Sequence, residues 1–147
     1  MWYKEKVSEE EIASARAFIK PFGARLHFKS VIGGGQVHVD TGLIEMSKFV
    51  TRNSQIFWSI LLHELCHCIC FQKKLYYNYH NLEPSNTKEL RRFRRIAYKA
   101  ERFVDKMAAK MMEDYFPGMP YKYQYFDKHD KKWFYEEFLD RYYKELR

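Results

Sequence analysis

The hydrophobic positions change period along the chain, and each change marks an element. Ile12, Ala15, Phe18 and Ile19 recur at helical spacing behind Ser8, and Glu11 stands where a capping-box partner belongs. A first helix is therefore expected over 8–20, stopping at Pro21. Residues 25–32 alternate loosely and read as a strand. Beyond a tight Gly33-Gly34-Gly35 connection, residues 36–40 (QVHVD) alternate and read as a second strand. Thr41-Gly42 is a turn, 43–46 suggests a further short strand, and Ser47 is placed to cap a short helical turn. From Asn53 or Ser54 to residue 73 the chain is apolar on nearly every side, the pattern of a fully buried helix. Residues 76–84 read as a loop. Asn86 or Thr87 then caps a long helix that runs to Tyr115 and is ended by Phe116-Pro117-Gly118. A Tyr-rich irregular stretch, 119–126, leads to a final helix from Asp127 onward. One helix, a small sheet and then helices make the class α+β, with a small antiparallel or mixed sheet packed on the buried helix. No repeat, linker or low-complexity tract divides the chain, so residues 1–147 are read as one domain.

Composition narrows this further. Hydrophobic residues make up 46% and aromatics 18% of the chain, which excludes a disordered chain. The net charge of +7 favours an acidic partner, and nucleic acid stays open as one. No nucleic-acid-binding motif occurs, so a solvated Lys/Arg face is the simpler account. The opening MWYKEKVSEEE has no apolar h-region and does not read as a signal peptide. The most apolar run, 56–71, is interrupted by His63, Glu64 and His67 and reads as too short and too polar to cross a membrane. Cys66, Cys68 and Cys70 are odd in number and too close together on one element to form a disulfide framework. Reduced thiols in a cytoplasmic protein are expected.

The candidate chemistry lies inside the buried helix. Residues 63–67 read His-Glu-Leu-Cys-His, and helical geometry puts His63 and His67 on one face, able to reach one metal ion. Glu64 is turned by about 100° from them and stands beside the position of an activated water. From 6 His and the Glu content of the chain, such a pattern arises by chance about 0.02 times. Two histidines and a carboxylate in an apolar helix would also be costly without a partner. A catalytic zinc takes a third protein ligand. One candidate is Glu101, which with Asp105 lies at the margin of the apolar face formed by Phe93, Ala97, Ala100, Val104, Ala108 and Met111. Asp105 is then placed to accept the far N–H of a zinc-bound histidine. The other candidate is His80, which a loop can fold back. The similar pair Glu136 and Asp140 lies opposite an aromatic stripe and reads as a solvated face.

His63-Glu64-x-x-His67 followed by Glu101-x-x-x-Asp105 resembles the gluzincin arrangement, in particular small phage and bacterial peptidases of the ImmA/IrrE type. The resemblance covers residues 36–113. It implies a zincin-like fold, one zinc ion per chain held by His63, His67 and Glu101, Glu64 as general base, and a peptide or protein substrate. Residues 43–70 also resemble SprT-like proteases, for which the third ligand would be a histidine near His80. An alternative of another kind is a non-catalytic zinc module, such as a DNA-associated regulator. Glu64 discriminates, because a purely structural zinc site has no need of it.

Other features have plainer accounts. The three cysteines suit small core residues. Arg91-Arg92-Phe93-Arg94-Arg95 suits the outer face of the long helix, although it is able to touch phosphates. The Tyr-rich stretch beginning at Tyr121 can line a substrate groove, donate a hydrogen bond to the oxyanion or, more simply, pack on the core, and His129 reads as a surface histidine. A peptide substrate is expected to pair with the edge of the strand at 36–40.

Overall fold

The computed structural model describes residues 2–75 and 85–122. The final helix expected from Asp127, His80, His129 and the Glu136/Asp140 pair lie outside the described residues. Among the described residues, three α-helices and a three-stranded mixed sheet make up an α+β fold: α1 (Glu9–Ile19), β1 (Arg25–Phe28), β2 (Gly35–His38), β3 (Leu43–Met46), α2 (Ser54–Gln72) and α3 (Thr87–Tyr115). Short 3-10 turns occupy Trp2–Lys4, Lys20–Phe22 and Lys48–Arg52.

Each α-helix begins where a side chain takes over a free backbone N–H. Ser8 Oγ accepts from Glu11 N at 3.1 Å, Asn53 Oδ1 from Ile56 N at 2.8 Å, and Asn86 Oδ1 from Glu89 N at 2.9 Å. Such caps contribute about 1 kcal/mol each. The capping box expected at α1 forms only by half. Glu11 turns away from its own helix end to accept from Ser54 Oγ at 3.0 Å and Trp58 Nε1 at 3.1 Å. Its carboxylate thereby ties α1 to α2, because a buried indole N–H needs a partner more than an exposed helix end does.

The strand order is β1-β3-β2, with β3 parallel to β1 and antiparallel to β2. Leu26, Ile44 and Val37 stand side by side in the register and join the core together with Met46. The first strand stops at Phe28, short of the 25–32 expected. Ser47 explains the difference. Its hydroxyl accepts from Val31 N at 2.8 Å and donates to Val31 O at 3.0 Å, holding that backbone out of the ladder. Ser47 is therefore a loop brace and makes no side-chain cap to the 3-10 turn that follows it.

α2 is buried from Ile56 to Cys70, with Phe57, Leu61, Leu62 and Leu65 fully enclosed. A side chain of that size contributes about 1.5–3 kcal/mol when buried. By length and composition this helix is long and apolar enough to cross a membrane, which corrects the shorter, more polar run read from the sequence; nearly all of it is enclosed by the rest of the fold. α3 joins the core that surrounds α2 through Val104, Ala108 and Met112, with Phe93, Ala97 and Ala100 also buried along its apolar face, and Met112 is buried more deeply than Met111. β2 lies very close to α2. A Cβ on Gly35 would come within 2.6 Å of Ile60 Cγ2 and 3.5 Å of Glu64 Cγ, so only glycine lets the strand approach the helix there.

Candidate metal centre

α2 supplies His63, Glu64 and His67, and α3 supplies Glu101 and Asp105; all five are buried. The one-turn spacing of the histidines brings both Nε2 atoms to one place, 3.2 Å apart. Glu101 Oε2 stands 2.9 Å from His63 Nε2 and 3.3 Å from His67 Nε2. Among the described residues, these three side chains form a buried group that can hold a metal ion. Zinc ligands lie about 2.0–2.2 Å from the ion, so tetrahedral ligands stand about 3.3–3.6 Å from one another. The triangle in this chain is close to one face of that tetrahedron. Its donor set, two imidazoles and one carboxylate, leaves a fourth position open.

Asp105 Oδ1 accepts from His63 Nδ1–H at 2.9 Å, so Nε2 is the ring nitrogen turned toward Glu101 and His67. Burial opposes charge on His63. The hydrogen bonds to Asp105 and Glu101 outweigh it and hold the imidazole well above its usual pKa. Burial likewise opposes ionisation of Glu101, but His67 and His63 prevail and keep its carboxyl far below the usual range. Glu64 follows the opposite course. Burial pushes its pKa up, only partly countered by the two histidines. A carboxyl of raised pKa next to a group that can hold a metal ion is suited to accept and return a proton.

Tyr121 belongs to this network. Its Oη–H donates to Asp105 Oδ1 at 2.6 Å and lies 3.5 Å from His63 Nδ1. Burial, and then the neighbouring Asp105, push its hydroxyl pKa far up, so it stays a donor. The segment after α3 is laid across α2 by two bonds: Gln55 Nε2 donates to Pro120 O at 3.0 Å, and Lys122 N donates to Ser59 Oγ at 3.0 Å. Trp58 and Phe116 pack against each other with centroids 4.4 Å apart and rings tilted by 41°. In the sequence only the richness in Tyr marked this segment, and nothing singled out Tyr121 as a partner of Asp105.

The three cysteines are free and buried. Burial raises all their thiols, Cys68 to about 12 and Cys70 to about 11, and Cys66 Sγ donates to Met111 Sδ at 3.5 Å. They are neutral core side chains rather than activated nucleophiles. Comparison of the chain with protein families, with curated proteins and with solved structures gives no match.

Proposed function

We propose that this chain is a zincin-like, zinc-dependent peptidase of gluzincin type, with one zinc ion held by His63, His67 and Glu101. The observation that carries the reading is the ligand triangle of 2.9–3.3 Å edges, with Glu64 next to it on α2 and Asp105 behind His63. Zinc, when bound, supplies Lewis acidity: it polarises a carbonyl and lowers the pKa of water to about 7. Glu64 takes a proton from the attacking water, keeps it on a carboxyl whose pKa burial has raised, and delivers it to the leaving amine. Asp105 fixes the His63 ring, and Tyr121 fixes Asp105.

The substrate is a peptide or protein segment in extended form, paired with the outer edge of β2. That edge starts at Gly35, which lies against Glu64. Ser47 N donates to Gly34 O at 2.9 Å, and antiparallel alternation from that bond points the N–H groups of Gly35 and Val37 away from β3. Those groups are available to a β-augmented peptide. The test is Glu64→Gln, which keeps the shape and removes the base. Cleavage of a quenched peptide library should fall by at least about 100-fold with zinc content unchanged. Equal cleavage by both proteins would exclude Glu64 as the base.

A further inference from the structure

α3 separates its charges by sign. Its acidic residues Glu101 and Asp105 are buried at the metal centre, Glu89 is bonded to Ser85 at the helix start, and Glu113 and Asp114 lie in the last turn. Between Arg91 and Lys110 every exposed residue except Phe103 is Lys or Arg. Arg92, Arg95, Lys99, Arg102, Lys106 and Lys110 follow one another at steps of three or four. At about 100° per residue they fall within an arc of about 80°. At about 1.5 Å per residue they form a straight ridge about 27 Å long. Like charges three or four apart on a helix repel, and ordinary solvated faces interleave opposite charges to avoid this. Along this ridge such pairing is confined to its C-terminal end, where Lys110 reaches Asp114 at 3.0 Å, while Arg102 Nη1 donates to a neutral partner, Tyr98 Oη.

We infer that this ridge is a docking surface for the phosphodiester backbone of a nucleic acid. In a duplex each strand advances one phosphate about every 3.4 Å of helix axis, so a length of duplex equal to the ridge carries more phosphates than the ridge has cations. An acidic protein would need a matching straight row of carboxylates, which is a far more demanding surface. A membrane surface fits less well, because the apolar side of α3 is buried in the core and Phe103 alone is left exposed beside the ridge to insert. Every cation of the ridge can meet a phosphate whatever the neighbouring base, so binding to the backbone is expected on any sequence. At about 100° per residue the midline of the ridge stands about 120° round the helix from Glu101 and Asp105, so ridge and metal centre occupy different faces of α3. The inference does not depend on peptidase activity.

The experiment uses the whole chain and two fluorescent probes, duplex DNA and single-stranded RNA, each about 20 nucleotides long and so longer than the ridge. Anisotropy titrations should show affinity for at least one probe falling linearly with salt on logarithmic axes, and the tighter probe identifies the source of the phosphates. The triple variant Arg95→Gln/Lys99→Gln/Arg102→Gln should bind at least about ten-fold more weakly, with a slope reduced by about three on the duplex. A control, Lys4→Gln/Lys6→Gln/Lys20→Gln, removes the same charge elsewhere and should retain most of the affinity. Circular dichroism checks that both variants fold. Three results would overturn the inference: no salt-dependent binding to either probe, equal losses in ridge and control variants, or tighter binding to phosphatidylserine vesicles than to both nucleic acids.

Discussion

Asp105 Oδ1 accepts a hydrogen bond from His63 Nδ1 at 2.9 Å, joining residues 42 positions apart on two different helices. The same oxygen accepts from Tyr121 Oη at 2.6 Å, while the buried Oδ2 has no hydrogen-bond partner among the described residues. A single carboxylate oxygen thus holds the tilt of a ring placed where it can hold a metal ion. Asp105→Asn keeps the shape and removes the charge, and should weaken zinc affinity by about 10- to 100-fold in a chelator competition. Tyr121→Phe should weaken it by a smaller factor, about 2- to 10-fold, since it removes one neutral donor. Both variants should keep the wild-type circular dichroism. Unchanged zinc affinity in both would reduce Asp105 and Tyr121 to packing residues.

The parts of this centre that were legible in the sequence are those that helical periodicity fixes. His63 and His67 share a face whatever surrounds them. Glu101 and Asp105 are acids at the margin of an apolar stripe, where a solvated role was implausible. Tyr121 was not legible, because its position depends on how the chain returns across Gln55 and Ser59 after α3. Local pattern also failed where side chains chose distant partners. Glu11 left its capping box for Trp58, and Ser47 took the Val31 backbone out of a strand that the alternation had extended to Ile32.

The edge of β2 offers a test of substrate placement. Val37→Pro removes an N–H that points away from β3 and leaves the ladder bonds of Gln36 and His38 in place. KM for a peptide substrate should rise by about 2- to 10-fold, the effect of one lost hydrogen bond, with kcat nearly constant. An unchanged KM in a folded variant would move the substrate away from this strand.

Acid stability reports on the outer side of the sheet. Glu45 accepts from His38 Nε2 at 2.6 Å and from Gln36 Nε2 at 3.0 Å, and these bonds, His38 first, hold its pKa below the usual 4.5. A carboxyl whose folded pKa is lowered stabilises the fold above its unfolded pKa, and that contribution is lost as pH falls through the folded value. Between about pH 5 and pH 3 the Tm of wild type should therefore fall more steeply than that of Glu45→Gln. Parallel curves would mean that the His38–Glu45 contact contributes nothing to folding.

The most direct test of the account is an anomalous difference map from crystals grown with zinc, using data collected on both sides of the zinc absorption edge. One peak per chain is expected, about 2.0–2.2 Å from His63 Nε2, His67 Nε2 and a carboxylate oxygen of Glu101. No peak at that triangle, or a peak ligated by His80 in place of Glu101, would contradict it.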